Sequence, residues 1–274
     1  MKSRLTPVVV VGARGRMGKA LIAEVVKSDI LVLDGAVDRS GGPGRGQDAG
    51  VLAGLHGIGV TVTDNLVPRR NTVVVDFSLP EATKTNIERC RDAGVALVLG
   101  TTGLDQEARD LLHTAAKVIP IVSAANFSVG ITLMTRLAGL AARALGDDWN
   151  VELFELHHRH KRDAPSGTAK RIAKQIAKAT DRDPNEVVLA GRGGSTNEPR
   201  GDREIGISSA RGGDSAGEHT LMFLTDGERI ELTHRAGDRT IFARGALRAA
   251  QWVANQKTPG LYDMADVLGL SSLA

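Results

Sequence analysis

The sequence predicts an α/β fold in two parts: a doubly wound parallel sheet, then a second α+β domain with a mostly antiparallel or mixed sheet. Three observations carry this expectation. Apolar runs of strand length alternate with segments of helical spacing through the first part of the chain; the alternation changes near Asn126; and further on three strand-like runs follow one another with short turns between them.

In chain order, residues 8–11 form a continuous valine run that turns at Gly12, and Met17, Leu21, Ile22, Val25 and Val26 share one face of a helix over 17–27. Strands follow at 31–37, 60–63, 72–77, 95–99 and 120–122. Helical spacing fills 81–93, opened by Pro80, and 105–117, opened by Asp105. Such βαβ alternation predicts parallel strands buried on both faces. Past Asn126, Leu133, Leu137, Leu140 and Ala144 mark a helix, 151–157 a strand and 167–179 a second helix; 205–210, 218–224 and 228–234 read as hairpin-connected strands. Eight glycines between Ala190 and Gly217 suit loops. A helix over 241–254, with Phe242, Leu247 and Trp252 to pack, is expected to return to the first domain. The expected division is therefore 1–127 with 238–274 for one domain and 128–237 for the other.

Of the 274 residues, 42% are apolar and 24% charged, enough for a sizeable core and too ordinary for a disordered or fibrous chain. The single cysteine, Cys90, permits no intrachain disulfide, which fits a reducing compartment. No apolar run approaches the ~18 residues of a membrane helix, and the four valines near the start fall short of a secretion signal. A cytoplasmic protein is expected. The 35 Lys+Arg against 32 Asp+Glu leave +3, spread without a like-charge block, so neither nucleic acid nor a membrane is an expected partner.

Gly12-Ala13-Arg14-Gly15-Arg16-Met17-Gly18 lies between the first strand and the first helix. Glycines there allow a tight turn and close approach of amides to a pyrophosphate, whose charge the helix start favours. Asp38 closes the second strand 20 residues after Gly18, where a carboxylate grips a ribose hydroxyl pair; together these make a Rossmann-like dinucleotide site. Arg39 beside it suits a 2′-phosphate, so the pair points to use of NADH or NADPH. Gly100-Thr101-Thr102-Gly103 and Ala124-Ala125-Asn126-Phe127 follow two later strands, at the sheet edge where α/β folds bind ligands, and Asn126 is placed to bond a carboxamide.

The second site is denser. His157, His158 and His160 stand within four residues, then Lys161, Asp163 and Ser166-Gly167-Thr168-Ala169. Ser166 is an N-cap candidate, which turns the amides of Gly167, Thr168 and Ala169 outward as an anion site. The expected guest is a small carboxylate, with His157 or Lys161 as the proton donor. A zinc site of His157, His158 and His160 competes, but neighbouring strand residues face opposite ways and no H-E-x-x-H is present; no metal is expected. Lys170, Lys174 and Lys178 read as the wet face of the following helix.

These motifs resemble one family. Residues 155–169 are similar to the signature of bacterial dihydrodipicolinate reductase, also called 4-hydroxy-tetrahydrodipicolinate reductase, and residues 12–18, 100–103, 124–130 and 217–220 match it in order, almost end to end. The resemblance implies NAD(P)H-dependent reduction of 4-hydroxy-tetrahydrodipicolinate to tetrahydrodipicolinate on the diaminopimelate route to lysine. By the same similarity His157 matches the proton-donating histidine, Lys161 the catalytic lysine and His158 a substrate contact, while Gly167 and Thr168 match the carboxylate-holding residues. Gly12, Ala13, Arg14, Gly15, Arg16, Met17, Asp38, Arg39, Gly100, Thr101, Thr102, Ala124, Ala125, Asn126 and Phe127 match its cofactor contacts. Family members are typically homotetramers built through the second domain's sheet. Leu79 departs from members that place an arginine near the cofactor. Two rival readings are a Rossmann-type dehydrogenase of an amino-acid semialdehyde and a non-catalytic NAD(P)H sensor; the proton-donor cluster beside an anion site speaks against the sensor.

Overall fold

In a computed structural model, which describes residues 5–192 and 199–273, the chain divides into two compact units. Gly193 and Gly194, two of the glycines assigned to loops, lie outside the described residues, as do residues 1–4.

The first unit runs up to Val129 and resumes over Arg239–Leu268. Its strands and helices are β1 (Thr6–Val11), α1 (Arg16–Val26), β2 (Leu31–Val37), α2 (Ala49–Leu52), β3 (Val62–Thr63), β4 (Val73–Asp76), α3 (Pro80–Ala93), β5 (Ala96–Leu99), α4 (Gln106–Ala115) and β6 (Pro120–Ser123). All paired strands are parallel, in the order β6-β5-β4-β1-β2-β3. Val8 to Val11 of β1 and the whole of β4 are buried, as strands covered on both faces must be. The chain winds outward from β1 to β3, then returns to pair β4 with β1 on its other side. That reversal is a topological switch point, and crevices at the carboxyl ends of such strands bind ligands.

The second unit, Gly130–Asp238, holds most of α5 (Val129–Leu145), then β7 (Asn150–His157), α6 (Gly167–Ala179), α7 (Pro184–Val187), β8 (Val188–Ala190), β9 (Ile205–Arg211), β10 (Glu218–Thr225) and β11 (Glu228–Arg235). The sheet is mixed, ordered β11-β10-β7-β9-β8: β10 is antiparallel to β11 and β7, while β9 is parallel to β7 and β8. The hairpin expected between residues 205–210 and 218–224 is absent. β9 and β10 flank β7, so the link over 212–217 crosses the carboxyl end of β7. Ile131, Met134, Ile172 and Ile176 of α5 and α6 cover one face of the sheet, packing on Val151, Leu153, Ile205, Leu221 and Phe223.

The chain then returns to the first unit through α8 (Thr240–Val253), β12 (Gly260–Tyr262), which pairs with β6, and α9 (Met264–Val267). Helix α8 packs on α1 and on β4, β5 and β6 through small side chains, Ala243, Ala246 and Ala250 among them. A Cβ on its Gly245 would meet the Phe127 carbonyl oxygen at 1.7 Å, so helix and loop are in backbone contact.

Candidate active site

In the first unit, β1 ends in the glycine turn. Gly12 adopts φ +81, and the amides of Gly12 and Ala13 donate to the Val37 carbonyl at 2.9 and 3.0 Å, which ties the turn to the end of β2. A Cβ on Gly18 would lie 2.1 Å from the Gly12 carbonyl oxygen, so turn and helix can approach only through glycine. Gly15 caps α1 with no side-chain bond, and the first amides of the helix are therefore open to an anion. Asp38, just past β2, accepts the amides of Arg14 at 2.7 Å and Arg39 at 2.8 Å, which fixes its carboxylate beside the turn.

Around these residues lies a cavity of about 540 Å³, lined among others by Gly12, Arg14, Gly15, Asp38, Arg39 and Leu79. That volume suits a cofactor-sized ligand. Glycines whose side chains would clash, an uncapped helix start and a fixed carboxylate are together what a dinucleotide requires, so the residues fit that group.

Not every residue expected here lines the cavity. Ala13 is fully buried, and Met17 packs on the core below the turn. Phe127 is buried with its ring 5.4 Å from Phe77, so it shapes the loop after β6 rather than presenting a surface. The Asn126 side chain accepts the Ser128 amide at 2.8 Å in a local turn. Thr101 is buried and bonds the Ser78 carbonyl at 3.4 Å, whereas Thr102 is exposed.

Sequence reasoning missed Asp64, Leu66, Phe77, Ser78, Asn86 and Arg89, which also line the cavity. It also missed Asp76, buried at the end of β4 and accepting the Ser78 amide at 2.8 Å and Asn86 Nδ2 at 2.9 Å. Burial pushes its carboxyl above the usual range, against the hydrogen bonds from Ser78, Asn86 and Thr101.

The second constellation lies wholly within the second unit. Alternation along β7 turns Val151, Leu153, Glu155 and His157 to the covered face, so the core stripe ends in a carboxylate and an imidazole. His157 Nδ1 is 2.5 Å from Glu155 Oε2. Burial lowers the His157 pKa, and Glu155 acts against that shift. The link over 212–217 closes on the strand end: Gly212 N donates to the His157 carbonyl at 3.0 Å and His158 N to the Ser215 carbonyl at 2.9 Å.

Ser166 caps α6, its Oγ accepting the Ala169 amide at 3.1 Å, and a Cβ on Gly167 would meet nothing within 4 Å. The helix start is open, as an anion site needs. Lys161 is nearby in sequence, its Nζ 2.7 Å from Asp163 Oδ1; this ammonium holds the Asp163 carboxyl below the usual range. His219, which lies in the matched run 217–220 but has no role of its own in the sequence reading, packs edge-on against the His157 ring at 5.3 Å and lies 3.3 Å from Ser166 Oγ. Burial drops its pKa to about 4, so it is neutral. Among the described residues no cluster of three or more His, Cys, Asp or Glu side chains could hold a metal ion, and no helix is long and apolar enough to cross a membrane.

Comparison with known proteins agrees with both halves. Residues 6–127 match the family model for the N-terminus of dihydrodipicolinate reductase and residues 130–268 the model for its C-terminus. The chain is 50% identical over 266 residues to the 4-hydroxy-tetrahydrodipicolinate reductase of Pseudomonas fluorescens strain Pf0-1, covering 96% of this chain and 98% of that one. It is 49% identical over 267 residues to the enzyme of the same name from Alkalilimnicola ehrlichii, covering 97% and 99%. The fold resembles a dipicolinate-bound dihydrodipicolinate reductase from Paenisporosarcina sp. TG-14, with a TM-score of 0.75 at 24% identity, over 96% of this chain and 99% of that one.

Proposed function

The chain belongs to the dihydrodipicolinate reductase family, and from that premise we propose how its residues divide the work of reducing 4-hydroxy-tetrahydrodipicolinate to tetrahydrodipicolinate, a step of the diaminopimelate route to lysine. The reaction adds a hydride and a proton to the substrate and releases one water. A nicotinamide cofactor, when bound, supplies the hydride.

On this reading the residues from Gly12 to Met17 hold the pyrophosphate, Asp38 the ribose, and residues 100–102 and 124–127 border the nicotinamide end. Arg39 offers a guanidinium to a 2′-phosphate, so NADH and NADPH both serve. Leu79, 62% exposed on the cavity lining, supplies no cation at its own position, while Arg14 and Arg89 line the same cavity beside Arg39.

In the second unit, the open start of α6, with Ser166, Gly167 and Thr168, takes one substrate carboxylate, and His158 and Lys161 contact the other polar groups. His157 donates the proton. In the free protein burial disfavours the imidazolium; a doubly negative substrate adds charge of the same sign as Glu155 and loads the ring as it binds. Lys161 steadies negative charge that develops on the ring before the proton arrives.

The observation that carries this reading is a buried imidazole at the end of β7, joined through Glu155 to the Ser166 amide at the open start of α6. Positioned acids contribute about 10²–10⁴-fold. His157→Gln and Lys161→Ala should lower turnover by that order while calorimetric NADH affinity hardly moves; near-normal turnover in either variant overturns that residue's role.

The outer face of the second sheet, opposite the face that α5 and α6 cover, carries Phe154, Leu156, Met222 and Leu224. We assign it to contacts between copies in a homotetramer. Cytoplasmic location suits a chain with one buried thiol and no disulfide.

A further inference from the structure

Glu155 is wholly buried, yet each of its oxygens is occupied by donors. Arg211 of β9 grips it with two bonds, Nη1 to Oε2 at 2.9 Å and Nη2 to Oε1 at 2.8 Å. The Ser166 amide donates to Oε1 at 3.1 Å, and His157 Nδ1 lies against Oε2. The guanidinium also binds the carbonyls of Asp163 and Ala210, both at 2.6 Å. One carboxylate thus joins β7, β9, the loop that carries Lys161 and the cap of α6.

A carboxyl so surrounded is ionised. Burial acts to raise its pKa, but the bonds from Arg211, Ser209, His157 and Ser166 hold it at about 2. An ionised carboxylate only accepts, so the His157 nitrogen facing it must carry a hydrogen, whether the ring is neutral or charged. The other nitrogen, Nε2, has no hydrogen-bond partner among the described residues, and it faces Gly217, where a Cβ would stand 2.9 Å away. Gly217 adopts φ +141, and any side chain there would fill the space in front of Nε2.

We infer that Glu155, locked in place by Arg211, is the positioning residue that fixes His157 as its Nδ1–H tautomer, leaves Nε2 as the atom that carries the transferable proton, and ties the acid to the carboxylate-binding start of α6. This rests on the proposed role of His157 as the proton donor. The same carboxylate serves both ends: it aims the imidazole and holds the Ser166 amide, so proton donor and anion site keep a common register.

The charged and titratable groups facing the ring are Glu155 from β7, Arg211 from β9, His219 from β10, and Lys161 with its partner Asp163 from the loop before α6. Of the groups that act on the ring's charge, Glu155 favours the imidazolium, while Lys161 and Arg211 oppose it. Removing the Glu155 charge therefore lowers the His157 pKa, and a reaction that needs the imidazolium loses its alkaline side first.

The test uses the intact enzyme with ¹⁵N-labelled histidine. In the wild type, neutral His157 should show a protonated Nδ1 and a bare Nε2 in ring-nitrogen spectra; a proton on Nε2 instead overturns the inference without any variant. In Glu155→Gln the Nδ1–H preference should vanish, and the alkaline limb of kcat/KM should move down by about 1 pH unit. An unchanged tautomer and an unchanged limb overturn the inference even if stability drops. Should Glu155→Gln fail to fold, the wild-type spectrum decides alone. His157→Gln separates the two ideas: normal turnover there removes the proton-donor reading, while the spectra still judge whether Glu155 sets the tautomer.

Discussion

Three glycines near helix starts should respond to the same substitution in three different ways, because the space before their missing side chains differs. A Cβ on Gly18 would stand 2.1 Å from the Gly12 carbonyl oxygen and 2.7 Å from two Ala13 backbone atoms. That is about 1 Å short of the closest approach carbon and oxygen tolerate, and backbone cannot rotate aside as a side chain does. The turn must open or α1 must back away by a similar distance. Overpacking of this kind costs about 1–3 kcal/mol, and amides displaced from a pyrophosphate should cost about 10–100-fold in cofactor affinity, or about 1.4–2.8 kcal/mol. Gly15 is milder: its Cβ would lie 3.1 Å from the same oxygen at a φ of −63, open to any residue. Gly167 faces open space. Calorimetric titration of NADH, with urea unfolding alongside, should rank Gly18→Ala as severe, Gly15→Ala as a loss below about threefold, and Gly167→Ala as neutral for NADH affinity and stability. Equal effects at Gly18 and Gly15, or a harmless Gly18→Ala, would refute the reasoning.

Stability should fall on the acid side in two stages. Burial drops His219 from 6.5 to about 4, so the unfolded chain binds a proton the fold refuses, and stability declines as pH drops from about 6.5 toward 4. Glu155, held at about 2, contributes fully above its ordinary value of 4.5 and loses that contribution as pH falls through 2. Urea midpoints across pH should show both stages, and His219→Gln should make the first shallower, with His157 and His234, also lowered by burial, keeping part of it; an unchanged slope contradicts the assignment. Ser166→Ala removes the cap of α6 and a contact of His219 and should cost about 1–2 kcal/mol in urea unfolding, whereas a change under about 0.5 kcal/mol would disprove the cap's importance. Phe154→Lys places a charge on the outer face of the second sheet and, if the proposed tetramer forms there, should lower the assembly's mass in sedimentation velocity; a variant that sediments as a tetramer moves the interface elsewhere.

What the sequence made legible was what neighbouring residues decide among themselves. Gly12 and Gly18 announce the turn because their positions forbid side chains, and α6 begins and ends where Ser166 and its apolar spacing put it. Strand pairing is another matter. Residues 205–210 and 218–224 read as a hairpin because a short turn separates them, yet both pair with β7, 54 residues upstream of the first and 62 to 74 upstream of the second, and that choice leaves no local trace. Arg211 was invisible for the same reason, since its partner Glu155 lies 56 positions away. Glu155 itself was readable: two residues before His157 on a strand, it had to share that face. Asp76 was not, because a carboxylate at a strand end looks solvated until Asn86 and Ser78 close over it.

The crossing of β7 by residues 212–217 has a practical side. The span covers two inter-strand steps, about 10 Å, while six residues reach about 20 Å when stretched. The tether is longer than its span, so extra residues grafted into it at Asp214, between the Gly213 carbonyl that accepts the Arg159 amide and the Ser215 carbonyl that accepts the His158 amide, would leave the strand pairing in place. Libraries built at that point would vary the roof above the imidazole alone, a handle for redesigning which heterocycles the enzyme accepts.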